Sequence, residues 1–290
     1  MDKNLGVHHL QHSALFQIEN GKTINLWLFI LLCSFINWGL EFLKWQQLVK
    51  PIKTITYATA GMQTLGAHAA SLFTPNRIGD YGAKALYFPK SLRTRIMTLN
   101  AIGNISLMLI TCILGGFGLL ALLKMYPSIS LLHTNYSIVY AIIICICLGI
   151  YSILKYKASV YRYFKKLKVF ISSISKATLV TTIGISLLRY AVFSFQFYFI
   201  LICLKTEISY LQAMMLISSM YLLASVIPSL FIFDVVLKGG IAVYLFSILN
   251  IPESVVLSTV TLMWFCNTVL PSVIGYYAIL KFKPITFLSE

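Results

Sequence analysis

The sequence predicts an all-α polytopic membrane protein, and three observations carry that expectation. Of 290 residues, 59% are hydrophobic and only 11% charged, which leaves little polar surface for a water-facing domain. Apolar stretches recur at the length a helix needs to cross about 30 Å of hydrocarbon at about 1.5 Å per residue. Most of the 23 Lys and Arg residues fall between those stretches. A net charge of +15 would suggest nucleic acid in a soluble protein. Here the loop placement of the cations points to anionic headgroups instead, with membrane lipids as partners and no nucleic acid.

Residues 1–23 form a polar tail in which His8, His9 and His12 lie close together. Nothing in the pattern would hold these histidines in a ligand geometry, so no metal and no cofactor is expected. A single transmembrane domain follows over 24–283, with a short tail at 284–290. The first apolar run, 24–43, is long and lacks a small-x-small cleavage site, so it reads as a retained span and not as a cleaved leader. Four more spans follow at 99–123, 136–154, 179–204 and 255–280. Two other stretches, 54–73 and 209–227, are more polar, and each runs into a proline and then into charge. The run 239–249 is only 11 residues, too short to span unaided, and reads as half of a hairpin. The six cysteines, Cys33, Cys112, Cys145, Cys147, Cys203 and Cys266, all lie in apolar stretches without metal or disulfide spacing, and read as small packing residues.

The basic clusters set an orientation. They are Lys44, Lys50 and Lys53; Lys90, Arg93 and Arg95; the run from Lys155 to Lys176; and Lys281 with Lys283. The positive-inside rule puts these loops and the C-terminus in the cytoplasm. All four share one side only if 54–88 re-enters from the cytoplasm and 209–249 re-enters from the opposite face. The alternative is that both stretches cross fully. Two oppositely oriented broken elements are the pattern of inverted-repeat transporters.

Each broken element carries a charged motif. The first reads Thr74-Pro75-Asn76-Arg77-Ile78-Gly79-Asp80-Tyr81-Gly82-Ala83-Lys84. The second runs from Pro228 through Asp234 and Lys238 to Gly239 and Gly240. In both, a helix-ending proline precedes an Asp, and a Lys follows four residues later on the same helical face. Pro75, Gly79, Gly82, Pro228, Gly239 and Gly240 are the expected hinges or helix breaks. An ionised side chain at the centre of a membrane helix costs about 2.5 to 3.5 kcal/mol, so these charges need a reason. Either the pairs are structural staples, or helix ends and cations together make an anion site.

Arg189 lies mid-span with no acid in the same stretch, so it should face the interior or a watery cavity. Asp80, Asp234 or a ligand phosphate would be its partner, since guanidinium pairs bidentately with phosphate. Gln196, Asn267 and His68 are the further cavity-lining candidates. Glu41 reads as an interfacial acid.

These motifs resemble the lysylphosphatidylglycerol synthase transmembrane, or flippase-like, family of bacterial membrane proteins. The resemblance spans most of the chain from residue 24 and rests on Pro75, Gly79, Asp80 and Lys84, then on Pro228, Asp234 and Lys238. Asp and Lys stand where Glu and Arg are commoner in that family, and the second motif lacks glycines before its Asp. The resemblance implies movement of a polar or charged lipid between leaflets of the bacterial inner membrane. It implies Arg77, Lys84, Arg189 and Lys238 as headgroup contacts, with Asp80 and Asp234 orienting them. Lysyl transfer is not expected, because the sequence ends just after its last span. No catalytic nucleophile pair and no phosphate-binding glycine loop are evident. An intramembrane enzyme acting on lipid phosphate and a non-transporting scaffold are the alternative readings.

Overall fold

The computed structural model describes residues 20–72, 74, 78–127, 169–227, 229 and 231–282. The expected span at 136–154 with Cys145 and Cys147, the basic run from Lys155 to Lys168, the N-terminal histidines, Pro75, Arg77, Pro228 and Lys283 lie outside them. Among the described residues every regular element is helical. Its elements are α1 (Asn20–Val49), α2 (Tyr57–Ser71), α3 (Gly79–Leu86), α4 (Lys90–Met125), α5 (Lys176–Cys203), α6 (Tyr210–Val226), α7 (Phe231–Ser247), α8 (Glu253–Trp264), a π-helical turn (Phe265–Val269) and α9 (Leu270–Leu280).

Four stretches are long and apolar enough to cross a membrane: Trp27–Val49, Lys90–Met125, Lys176–Cys203 and Glu253–Leu280. The protein is therefore a multi-pass membrane protein of the expected class. Their outward faces carry large apolar side chains that are exposed, such as Phe35, Ile105, Phe117, Val180 and Tyr276. In a bilayer that surface meets lipid. The short α2 and α3 have 15 and 8 residues, rises of about 22 and 12 Å, so neither alone matches the hydrocarbon thickness.

Helix ends follow local chemistry. Ser175 and Thr56 accept backbone N–H bonds from Thr178 and Thr59, and Ser209 with Gln212 forms a reciprocal capping box. Pro89 and Pro252 precede α4 and α8, where a missing N–H costs nothing. Asn250, at φ 53°, turns the chain between α7 and α8 in the left-handed region that Asn tolerates.

Two seams draw helices unusually close. A Cβ on Gly275 of α9 would stand 2.1 Å from the Leu65 carbonyl oxygen of α2. On α4, a Cβ on Gly118 would stand 2.0 Å from Ser218 Oγ of α6. Small residues at these crossings let backbones approach, the usual basis of helix association in lipid. The α2–α9 seam carries the first broken element and the α4–α6 seam the second. Two apolar clusters complete the frame. One joins Trp45, Leu48, Phe88, Ile96 and Leu99 around α3. The other joins Phe197, Leu201, Leu216, Phe246, Val256 and Val260 around α6 and α7.

The second element differs from expectation. Hydropathy counts 239–249 as an 11-residue half-span, whereas α7 starts at Phe231 and runs 17 residues. Asp234 and Lys238 interrupt the apolar pattern without interrupting the helix, because their i,i+4 pairing satisfies both on one face. Gly239 and Gly240 lie inside α7 and Gly82 inside α3, so none of the three is a break. Only Gly79 sits at one, as the first residue of α3, where its N–H donates to Thr74 Oγ1 at 2.9 Å. Lys44 also departs from expectation: it is a buried residue of α1, 2% exposed, and not a loop cation.

Candidate functional site

In each broken element a short gap ends one helix and the next begins with an Asp in its first turn, Asp80 on α3 and Asp234 on α7. A carboxylate there complements the helix dipole, so the helix end already holds its own anion. The cations, rather than free helix ends, are left to attract any ligand. Lys84 and Lys238 follow one turn later and reach back, with Nζ–Oδ2 separations of 3.4 Å to Asp80 and 2.8 Å to Asp234.

Both motifs line one cavity of about 700 Å³, although they lie 154 residues apart in sequence. Its walls include Asp80, Lys84, Arg189, Asp234 and Lys238, together with His68 and Asn267. Asn104, Leu107, Met108 and Thr111 face it from one side of α4, at the i, i+3, i+4, i+7 spacing of a single helical face. Trp38, Phe193, Phe197, Tyr221 and Trp264 supply aromatic surface. The volume falls within the range of about 300 to 1,000 Å³ typical of ligand sites.

Arg189 faces this cavity as expected, but neither motif Asp is its partner. Its Nη1 donates to Glu41 Oε2, and its Nε donates to Asn37 Oδ1 at 3.1 Å. Glu41 is not interfacial. It is 8% exposed and stands between three cations, with Lys44 Nζ at 2.7 Å and Lys84 Nζ at 4.0 Å. Lys84 also donates to Asn100 Oδ1 at 2.9 Å, while Asn100 Nδ2 donates to Asp80 Oδ2 at 2.6 Å. The ammonium lies 4.8 Å from the centre of the Trp45 ring, and Trp45 is fixed by its own bond to Gln63. Paired charges with every neighbour hydrogen-bonded are the arrangement that makes ionic burial tolerable.

A second chain of bonds runs from this cluster into the last span. Asn37 Nδ2 donates to Asn267 Oδ1 at 3.0 Å, and Asn267 Nδ2 donates to Gln196 Oε1 at 3.0 Å. Gln196 in turn donates to the Ile30 carbonyl and to Ser34 Oγ, both at 2.9 Å. Gln196 is therefore a fully buried support behind Asn267 and not part of the cavity wall. Asn267 sits in the π-helical turn just before Pro271. Proline removes the N–H that would bond the carbonyl four residues back, and Trp38 Nε1 donates to that Asn267 oxygen instead, at 3.2 Å. His68, 5% exposed, packs edge-on to Trp38 and lies 3.4 Å from the Thr268 carbonyl.

The structure thus gathers Asp80, Lys84, Arg189, Asp234, Lys238, His68 and Asn267 around one space and adds Asn37, Glu41, Lys44 and Asn100. No cluster of three or more His, Cys, Asp or Glu side chains suited to a metal ion occurs among the described residues. No family profile, curated protein or solved structure matches the chain.

Proposed function

We propose that this protein is a flippase-like transporter that moves an anionic phospholipid or a polyprenyl-linked lipid between leaflets of the bacterial inner membrane. One observation carries the reading: two sequence-distant Asp–Lys motifs and an intramembrane Arg line a single cavity whose remaining walls mix aromatic and aliphatic side chains with polar ones. Charged residues are retained inside a membrane protein where they serve a substrate path. A polar, cationic pocket beside apolar walls suits a molecule with an anionic head and a hydrocarbon tail. In this reading α2–α3 and α6–α7 are the two re-entrant elements, with the basic loops and the C-terminus cytoplasmic. Lys84, Arg189 and Lys238 hold the head, and Asp80 and Asp234 keep the lysines oriented.

Reconstitution tests this directly. Purified protein in liposomes should accelerate transfer of a labelled anionic phospholipid between leaflets over empty liposomes. Arg189→Gln should reduce that acceleration at least tenfold while inserting normally, because it removes the only bidentate donor among the described cavity residues. Wild-type protein with no acceleration, or Arg189→Gln with full acceleration, would contradict the reading.

A further inference from the structure

The described side chains at the buried end of the cavity carry a charge that they do not cancel. Among the described residues, three cations, Lys44, Lys84 and Arg189, meet two carboxylates, Glu41 and Asp80. With all five ionised, the cluster carries a net charge of +1. Its members are sheltered: Lys44 and Lys84 side chains are 2% exposed, Glu41 10%, Arg189 12% and Asp80 14%. The remaining bonds of the cluster go to neutral groups, namely Asn37, Asn100 and the Gly103 carbonyl. Asp234 and Lys238 pair with each other and leave the count unchanged. Salt does not screen a cluster buried this deeply, and an uncompensated charge in a low-dielectric setting is costly.

Glu41 is what keeps the count at one. It does not belong to either motif. It comes from α1, and its carboxylate occupies the centre of the three cations, where a ligand phosphate would otherwise lie. The wall beside it offers Arg189 and Lys84 to the cavity, while Lys44 stands behind.

We infer that Glu41 is the specificity-determining residue of this cavity: as a built-in anion among three cations, it restricts the ligand to a single negative charge, a phosphate diester rather than a phosphate monoester or diphosphate. The inference rests on the headgroup-binding reading above and narrows it. A diester restores neutrality at the inner end, a zwitterion leaves the extra positive charge in place, and a dianion overshoots it. Removing the Glu41 charge raises the cluster to +2 and should make the dianion the better match.

The test is a ratio of affinities, measured on full-length protein in detergent at about pH 7, above the second phosphate ionisation near 6. The probes are short-chain phosphatidylglycerol, phosphatidic acid and phosphatidylcholine, with deacylated glycerophosphoglycerol as a soluble diester. Wild-type protein should bind phosphatidylglycerol more tightly than either other lipid. Glu41→Gln should shift the ratio toward phosphatidic acid by on the order of tenfold or more, the effect of one nearby buried charge. Glu41→Gln with Lys44→Gln returns the cluster to +1 and should return the ratio to the wild-type value, a rescue that a purely structural role for Glu41 does not produce. Asp80→Asn makes the same change of charge from another helix and should shift the ratio the same way, which keeps the test available should Glu41→Gln not fold. Tight phosphatidylglycerol binding with a ratio unmoved by Glu41→Gln or Asp80→Asn would overturn the inference and leave headgroup binding intact. Equal affinity for glycerophosphoglycerol and phosphatidylglycerol, with the ratio shift present, would uphold the charge rule and overturn the lipid reading. No binding of any anionic probe would overturn both.

Discussion

The two Asp–Lys motifs share a spacing but not an environment. Lys84 is 2% exposed and is wired to Asp80, Asn100 and Glu41, with the Trp45 ring beside it. Lys238 is 31% exposed and reaches Asp234, which also accepts from Ser229 at 3.3 Å. The first motif is the buried end of a five-charge cluster spread over α1, α3 and α5. The second is a local pair on one helix at the more open end of the same cavity. An i,i+4 pattern therefore says which residues can pair, while tertiary packing decides whether the pair is a fixture or a movable contact.

The largest expected effect separates the two ends. Lys84→Met should destabilise the protein by about 3 kcal/mol, because it takes the buried lysine partner from Asp80 and the donor from Asn100. Thermal unfolding in detergent checks this, and a loss below about 1 kcal/mol would mean that the cluster is as loose as the other motif. Next in size is Asn267→Leu, which strips bonds from Asn37 and Gln196 and should cost about 1 to 2 kcal/mol by the same assay. Lys238→Met should cost less, about 1 kcal/mol, because the pair is part-exposed and Asp234 keeps the Ser229 donor, yet slow lipid transfer if the second motif guides the headgroup. The smallest change is a gain. Gly82→Ala should stabilise α3 by roughly 0.5 kcal/mol, since a Cβ there meets nothing within 4 Å.

The sequence makes the class of fold legible because bilayer thickness imposes a minimum length on every span, and four spans in the structure meet or exceed it. It also marks Asp80, Lys84, Arg189, Asp234 and Lys238, since ionised side chains in an apolar setting stand out by their cost. Partners are another matter. Arg189 and Glu41 meet across 148 residues, and no local pattern encodes that meeting. Glu41 stays hidden because Lys44 follows three residues later near the end of an apolar run, which reads as an ordinary interfacial pair. Asn37 and Asn100 stay hidden for the opposite reason. A single amide in a long span serves as packing glue as readily as it serves a site, and only the acceptor and donor positions around it tell the two apart. Helix α7 is misjudged by hydropathy because a paired Asp and Lys lower the average without breaking the helix.

The central claim is that one cavity receives a lipid headgroup between the two motifs. A phospholipid carrying a photoactivatable group on its headgroup, cross-linked in native membranes and mapped by mass spectrometry, tests it most directly. The account predicts adducts on the cavity faces of α1, α3, α4 and α5, around Asn37, Tyr81, Asn104 and Arg189, and their suppression by unlabelled anionic lipid. Adducts confined to outward residues such as Phe35, Phe117 and Val180, with the cavity unlabelled, would contradict it.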